Sequence, residues 1–317
     1  MEARYVGVDV SKDRLDVHVL PEGAAFAVAR DGKGLAELVA RLSALQPERI
    51  AVEARGGFET VVAAALAGAS LPLVIVNPAQ VRHFAQALGR RAKTDPIDAS
   101  MIARFVEATK PDLRPLADEA TQLLADLVAR RRQIIEMQII EMIVAERNRE
   151  KRVVVRRIRN SIARLIAALE KELAEIDAEI DASVRGSPAW REKEDLLASV
   201  PGVGPITART LIAELPELGT LDGKRIASLA GLAPFTRQSG QWTGKAMIAG
   251  GRKSVRSALF LASLVACRHN PVLKAFRQRL IDAGKPKMLI AIAAARKLLT
   301  ILNAILRDKQ PWRPENA

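Results

Sequence analysis

The feature that most limits the fold of this chain is its middle segment, residues 118–184, which contains neither glycine nor proline. Both residue types weaken or end helices, so a stretch of this length without them predicts long, uninterrupted helices. Such helices cover their apolar faces by pairing, which indicates a coiled coil or an antiparallel helical pair. Charge changes sign along the segment: Arg130–Arg164 holds 11 basic and 4 acidic residues, whereas Leu165–Arg185 holds 2 and 6. Either the basic stretch faces nucleic acid and the acidic stretch a partner helix, or both form a solvated, salt-bridged surface.

The same segment contains a perfect tandem repeat of five residues. Gln133–Met137 reads QIIEM, and Gln138–Met142 repeats it. In a straight helix, five extra residues leave everything that follows rotated by about 140°. The apolar seam of a helical pair therefore needs local repacking at this point.

The first 115 residues alternate between strand and helix patterns. Strands are predicted at 4–10, 15–20, 50–53 and 73–76. The first two form a hairpin, and a helix is predicted over Lys33–Leu45. This alternation is typical of a mixed sheet flanked by helices, which is an α/β fold.

Two of these strands carry a carboxylate. Asp9 lies inside an apolar strand, and Glu53 ends another, close before a Gly-Gly loop. Burial of an unpaired carboxylate is unfavourable, and ligands of open α/β sheets bind at the carboxyl ends of the strands. Asp9 and Glu53 are therefore candidates for a site at one edge of the sheet. The alternative for each is a surface position at a strand end.

A second pair of acids lies in the segment KTDPIDA, residues 93–99. Thr94 is a suitable N-cap and proline suits a first helical turn, so Asp95 and Asp98 are predicted on one face of a helix start. One interpretation is that these acids complement the helix dipole. The other is that they join Asp9 and Glu53 around two Mg²⁺ ions about 3.5–4 Å apart, a centre suited to phosphoryl transfer.

The net charge of +13 lies almost entirely at the C-terminal end of the chain. Residues 1–115 carry +1, residues 116–185 carry 0 and residues 186–317 carry +12. A basic half on an otherwise neutral chain indicates binding to nucleic acid. Because aromatic residues make up only 3% of the chain, phosphate contacts are expected rather than base stacking.

The cysteine and histidine content of the chain argues against a disulfide-stabilised protein and against a zinc-binding protein. Cys267 is the only cysteine, which excludes internal disulfides and indicates a reducing compartment. With three histidines it does not make a plausible zinc cluster. We find neither a signal-peptide pattern nor an uncharged apolar run near the roughly 18 residues of a membrane span. The expectation is a soluble, cytoplasmic protein.

Residues 196–215 have the pattern of a helix-hairpin-helix, with an apolar helix, the turn PGVGP and a second helix. In this turn Gly202 and Gly204 would expose backbone N–H groups at a helix start, where phosphate binds well. The alternative is a plain turn between two helices.

A glycine-rich, basic loop follows and contains Ser239. A loop serine taken alone is ordinarily structural. Beside cations it is also what phosphoryl transfer to a hydroxyl needs, because the cations stabilise developing phosphate charge and a metal or base can activate the hydroxyl. The cations predicted to contact nucleic acid are Arg237, Lys245, Arg252, Lys253 and Arg256.

The motifs stand in the order found in one known family. A strand Asp, a hairpin, a strand Glu and a helical Asp-x-x-Asp resemble the ribonuclease-H-like, RuvC-type nucleases. With the turn PGVGP and the later motifs LAGLAP, RQSG and GGR, nearly the whole chain resembles the insertion-sequence "one-ten" transposases, which are DEDD-type, bridge-RNA-guided serine recombinases.

This resemblance implies three domains. They are a RuvC-like metal-binding nuclease domain at 1–115, a coiled-coil linker at 116–185 and a mostly α-helical transposase domain with a helix-hairpin-helix at 186–317. It also implies the functional residues: Ser239 attacks DNA to form a 5′-phosphoserine intermediate, and Mg²⁺ is bound by Asp9, Glu53, Asp95 and Asp98.

The partners implied by the resemblance are double-stranded donor and target DNA, a structured non-coding guide RNA, and further copies of the chain in a dimer of dimers. The residues alone leave two other functions open. One is a RuvC-like, metal-dependent, structure-specific endonuclease that forms no covalent intermediate. The other is a non-catalytic nucleic-acid-binding protein.

Overall fold

The computed structural model describes residues 3–54, 56–89, 95–113, 118–149, 156–235, 238–239, 242–244 and 246–314, with the backbone alone at 95–97, 238, 242 and 243. The chain divides into two compact units, Met1–Ala117 and Asp118–Ala317, here called unit 1 and unit 2. The finer division into three domains stays a prediction.

Unit 1 is built on a five-stranded mixed sheet. Its strands are β1 Tyr5–Val10, β2 Arg14–Leu20, β3 Ala24–Ala29, β4 Arg49–Glu53 and β5 Leu73–Val76. They lie in the order β3-β2-β1-β4-β5, with β1, β2 and β3 antiparallel and β4 and β5 parallel to β1. This is the arrangement of a ribonuclease-H-like fold, and it agrees with the predicted mixed sheet. The sequence does not predict β3, because AAFAVA is rich in alanine, a weak strand former.

Helices cover both faces of this sheet. They are α1 Gly32–Leu45, α2 Glu59–Gly68, α3 Pro78–Ala87 and α4 Asp95–Thr109. Strand side chains alternate between the faces: Val6 and Val8 share a core with α1 and α2, whereas Tyr5 shares one with α3 and α4. Odd-numbered residues of β1 therefore face α4.

The described part of unit 2 consists of eight helices and four two-residue strands. The helices are α5 Glu119–Arg149, α6 Arg156–Gly186, α7 Pro188–Ala198, α8 Pro205–Glu214, α9 Gly223–Leu229, α10 Lys253–His269, α11 Pro271–Asp282 and α12 Lys287–Asp308. The strands are β6 Pro234–Phe235, β7 Gln238–Ser239, β8 Trp242–Thr243 and β9 Met247–Ile248. One core includes Ile134 of α5, Ile180 of α6 and Leu298 of α12, so the long helices and the C-terminal helices fold together.

The long helices α5 and α6 pack along each other, and the Arg131 Nε of α5 lies 2.5 Å from the Asp177 Oδ1 of α6. The two QIIEM copies have different surroundings. Ile134 of the first copy is 0% exposed and belongs to the core, whereas Ile139 of the second copy is 50% exposed. The rotation of about 140° expected for five helical residues explains why identical segments face different ways.

Among the described residues, one helix, α12, is long and apolar enough to cross a membrane by length and composition. Half of its most apolar window is buried inside the protein, and Leu298 and Leu302 are part of the core of unit 2. These contacts are those of a core helix.

Candidate active site

The register of two strands brings Asp9 and Glu53 to neighbouring positions. β1 and β4 are parallel and paired from Tyr5 with Arg49 through Val8 with Val52. The next step of this register places Glu53 beside Asp9, at the carboxyl ends of both strands. Asp9 is only 1% exposed, and Glu53 is 9% exposed. The predicted edge of the sheet therefore carries two buried carboxylates.

A glycine allows α4 to lie directly on β1. A Cβ at Gly7 would overlap the backbone oxygen of Ala99 in α4. Because alternate residues of a strand share a face, Asp9 projects to the same side as Gly7. Toward the other end of β1, Tyr5 shares a core with Ile102, further along the helix. The N-terminus of α4 therefore lies near the end of β1 that carries Asp9.

The first turn of α4 contains the predicted acid pair. The helix begins at Asp95, and Asp98 immediately precedes the residue that lies against Gly7. The Oδ1 atom of Asp9 and the Oδ2 atom of Asp98 are both closed to solvent. Asp9, Glu53 and Asp98 thus lie on one face of the sheet. For Asp95 the structure describes the backbone alone.

The chemistry of these side chains fits Mg²⁺, which prefers oxygen ligands from carboxylates, water and phosphate. Within the ranges that the structure describes, no three His, Cys, Asp or Glu side chains form a group that could hold a metal ion. Asp9, Glu53 and Asp98 therefore do not form such a group by themselves, and the side chain of Asp95 is not described. The metal-binding tetrad therefore stays a prediction.

A further carboxylate, Asp16, lies beside this edge and is not singled out by the sequence analysis. It is the cross-strand partner of Asp9 in the β1–β2 pair, so both project to the same face. Its Oδ1 accepts hydrogen bonds from Nε and Nη2 of Arg14 at 3.1 and 2.7 Å. The sequence does contain a signal that could have identified Asp16: it is an acid inside an apolar strand, as Asp9 is.

His18 follows Asp16 on this face of β2. Burial, and then the positive charge of Arg104 on α4, lowers the pKa of the His18 imidazole below its ordinary value of 6.5. The ring is therefore neutral at pH 7 and adds no positive charge near the acids.

Ser239 lies in unit 2, on one of two separate two-stranded antiparallel sheets. β6 pairs with β9, and β7 pairs with β8 so that Ser239 stands opposite Trp242. Only two residues separate Ser239 from Trp242 in the sequence, and Ser239 is the last residue of β7. Its side chain is exposed.

The cations predicted around Ser239 have different surroundings. Lys253 is exposed at the start of α10. Arg256 donates from Nη1 to the backbone oxygen of Gly250 at 2.6 Å, and Arg252 is held by Glu217. Two cations lie outside the described residues: Arg237 and Lys245.

The predicted phosphate-binding turn joins α7 and α8. Gly202 has φ +100°, and a Cβ there would overlap the backbone of Ala266 in α10. Gly202 is therefore needed for the close approach of these segments. Gly204 is the N-cap of α8 and has open space around it, which leaves the start of α8 accessible.

Two family models match separate parts of the chain. A model of DEDD transposases of the IS110 type matches residues 6–142, and a model of transposases of the IS116/IS110/IS902 family matches residues 194–278. Over 325 aligned residues the chain is 30% identical to the pilin gene-inverting proteins of Moraxella bovis and Moraxella lacunata, covering 98% of this chain and of each relative. The chain belongs to the IS110 family of transposases. The first model spans Asp9, Glu53 and Asp98, and the second spans Ser239.

This IS110-family transposase also resembles proteins of insertion elements. It is 31% identical to an uncharacterized 42 kDa protein of the element IS900 from Mycobacterium paratuberculosis, over 48% of this chain and 40% of that protein. Among solved structures, T. thermophilus RuvC in complex with a Holliday junction substrate matches 36% of this transposase and all of its own chain, with 18% identity and a TM-score of 0.27. The assignment to the family rests on sequence, and the ribonuclease-H-like topology rests on the strand order of unit 1.

Proposed function

We propose that this transposase is an Mg²⁺-dependent, RNA-guided recombinase that cuts donor and target DNA and rejoins the strands through Ser239. The observation that carries the proposal is the shared face of Asp9, Glu53 and Asp98 on β1, β4 and the first turn of α4. Carboxylates gathered on one face of a sheet repel one another unless cations hold them. With Asp95 they form the proposed metal-binding tetrad.

Bound Mg²⁺ would stabilise charge on the phosphoryl oxygens and on the leaving oxygen. Ser239 Oγ loses its proton and bonds to phosphorus, and the bond between phosphorus and the 3′ oxygen breaks. The 3′ oxygen takes the electron pair and a proton, which leaves the 5′ phosphate joined to Ser239. Attack on this phosphoserine by the 3′ hydroxyl of the exchanged strand reverses the steps and restores the serine.

The positive charge of the C-terminal half supports binding to DNA, since residues 186–317 carry a net charge of +12. Lys253 is exposed at the start of α10, and Gly204 stands at the accessible start of α8. Phosphate binds well to such cations and helix starts. The remaining proposed contacts are Gly202, Arg237, Lys245 and Arg256.

Assembly into a dimer of dimers is proposed to use α5 and α6 as a coiled coil. Several apolar side chains of α5 are exposed and available to a second copy of the chain: Leu123, Ile139, Ile140, Met142 and Ile143. The basic stretch Arg130–Arg164 is the proposed contact for a structured non-coding RNA that pairs with donor and target DNA. The proposed place of action is the cytoplasm, at the nucleoid.

A covalent-trapping assay tests the serine step. The protein is incubated with labelled donor and target DNA, the flanking non-coding RNA and Mg²⁺, then denatured and examined for a protein–DNA adduct. Ser239→Ala removes the proposed nucleophile, and Ser257→Ala, which changes an exposed serine of α10, is the matched control. We expect the adduct with wild type and Ser257→Ala, and its absence with Ser239→Ala.

Other outcomes identify other functions. Nicked DNA without an adduct, retained in Ser239→Ala and lost in Asp9→Asn, would show a metal-dependent endonuclease. No product with wild type, together with a melting temperature that Mg²⁺ does not change, would show a non-catalytic nucleic-acid-binding protein.

A further inference from the structure

The ladder that carries Ser239 leaves the helical core and returns to it through two short connections. We call residues 234–248 the serine arm; it contains β6, β7, β8 and β9. The first connection follows α9 and contains Gly231, and the second precedes α10 and contains Gly250 and Gly251. Contacts between these two connections therefore determine how the base of the arm is held.

The two connections touch at a pair of glycines. Gly231 and Gly251 have φ +67° and +64°, and a Cβ on Gly251 would overlap the backbone nitrogen of Gly231. The amide of Arg252 donates to the backbone oxygen of Leu229 at 2.8 Å. The base of the arm is thus closed by backbone contacts that leave no room for side chains.

Arg252 ties this base to the rest of the helical core. Its Nη1 and Nη2 lie 2.5 and 2.7 Å from the two carboxylate oxygens of Glu217. Nη1 also donates to the backbone oxygen of Glu214, at the end of α8, at 3.0 Å. Two parallel charge-assisted hydrogen bonds fix both the distance and the orientation of a guanidinium group. The Glu217 side chain is only 15% exposed, so solvent screens this pair little.

A neighbouring carboxylate, that of Glu214, also binds a residue that follows the arm. Glu214 accepts a hydrogen bond from Ser254 in the first turn of α10, and Arg132 Nη1 lies 2.7 Å from its Oε1. The segment 214–217 therefore receives both Arg252 and Ser254 from the residues that immediately follow the arm. A guanidinium group with both terminal nitrogens used in this way is poorly placed to bind a DNA phosphate.

We infer that Arg252 and Glu217 are a positioning pair that orients the serine arm, and that Arg252 acts through this pair rather than by contacting DNA. The inference rests on the proposed role of Ser239 as nucleophile. A displacement of the reacting oxygen by about 1 Å is enough to cost on the order of a hundredfold in rate. A rigid base of the arm therefore limits the displacement of Ser239, which lies on a strand of only two residues.

Glu217→Gln separates this role from a phosphate contact, because it weakens the pair and removes no positive charge. We expect the rate of adduct formation to fall by about tenfold to a hundredfold, with unchanged DNA affinity and an unchanged slope of log K against log salt. Arg252→Lys keeps the charge but loses the bidentate geometry, and we expect the same loss of rate. The matched control is Lys253→Ala, which should lower the salt slope by about one.

A second measurement reports on the arm without any chemistry. The chain has three tryptophans, and Trp242 is the cross-strand partner of Ser239. In a Trp190→Phe, Trp312→Phe background, the fluorescence anisotropy of Trp242 follows the motion of the arm. We expect Glu217→Gln and Arg252→Lys to lower this anisotropy while the far-ultraviolet circular dichroism is retained.

The outcomes are distinct for the two proposals. Unchanged anisotropy and an unchanged rate in Glu217→Gln would overturn the positioning pair, as would a loss of DNA affinity in Arg252→Lys. If wild type forms no adduct, the serine mechanism fails, and the anisotropy still decides whether the pair holds the arm. If Glu217→Gln melts below the assay temperature, Arg252→Lys decides by the same two readouts.

Discussion

The acidic edge of unit 1 and the serine arm of unit 2 hold their proposed functional groups in opposite ways. Asp9 and Glu53 are nearly buried on adjacent strands, and Asp98 is set by a helix that lies directly on one of those strands. Ser239 is exposed on a strand of two residues. Regular elements position the acids, whereas a few close contacts at the base position the serine.

This difference shows how each side chain is expected to respond to change. A group held by strand register moves only if the sheet or its covering helix moves, and both are stabilised by a core. A group on a short ladder depends on individual hydrogen bonds, each worth about 1 kcal/mol or somewhat more when charged. Substitutions should therefore damage the first site mainly through chemistry or packing, and the second through orientation.

The largest expected effect is on activity at the acidic edge. Asp9→Asn should reduce DNA cleavage by about a hundredfold or more, because charge stabilisation in the transition state is lost, while the protein remains folded. Asp13→Asn, in the exposed turn after β1, is the control and should cleave like wild type. Calorimetric titration with Mn²⁺ provides the second readout, and equal binding by wild type and Asp9→Asn would contradict the role given to this carboxylate.

Gly7→Ala tests whether packing of α4 sets the acidic edge. The new Cβ would overlap the backbone of Ala99 and Ala103, so we expect destabilisation by about 3 kcal/mol or more. Gly32→Ala is the control, since Gly32 begins α1 and has open space around it. Urea unfolding followed by circular dichroism measures both, and a Gly7→Ala variant as stable as wild type would show that register alone holds the edge.

The sequence predicted most of unit 1 because its signals are local. Apolar strands, the KTDPIDA helix start and the carboxylates of Asp9 and Glu53 are visible residue by residue. Asp16 was missed although it interrupts its strand as Asp9 does, since only the pairing of β1 with β2 shows that the two face the same way. The metal-binding tetrad stays a prediction for all four acids, because Asp9, Glu53 and Asp98 form no metal-holding group by themselves and the side chain of Asp95 is not described.

In unit 2 the sequence predicted the elements better than the roles of individual residues. The long helices and the turn between α7 and α8 were predicted from glycine and proline alone. Arg252 was predicted to contact phosphate because it lies in a basic loop, and its pairing with Glu217 was not predicted because the two residues are 35 positions apart. Gly202 was predicted to expose its backbone N–H to phosphate, and the sequence did not predict that its missing side chain also admits Ala266. Such contacts depend on tertiary packing and leave no local pattern.

Helix α5 allows the effect of burial on stability to be measured at the same position of two identical five-residue segments. Ile134→Ala and Ile139→Ala change the same position of the two QIIEM copies. We expect about 3 kcal/mol of destabilisation for the buried Ile134 and less than about 0.5 kcal/mol for the exposed Ile139. All three tryptophans lie in unit 2, so urea unfolding followed by their fluorescence measures both variants. Equal losses would mean that both copies are covered in solution, as assembly through α5 would require.

The smallest expected difference between paired variants is that between two adjacent glycines at the base of the serine arm. Gly250 and Gly251 both have positive φ, but only a Cβ on Gly251 would overlap other atoms, those of Gly231 and Leu229. Gly250→Ala should cost about 1 kcal/mol from its backbone conformation alone. Gly251→Ala should cost about 1–2 kcal/mol more, because the two connections must separate. Thermal unfolding gives the difference directly. If the two variants are equally stable, the close approach does not hold the arm, and the contrast with the tightly packed acidic edge becomes greater still.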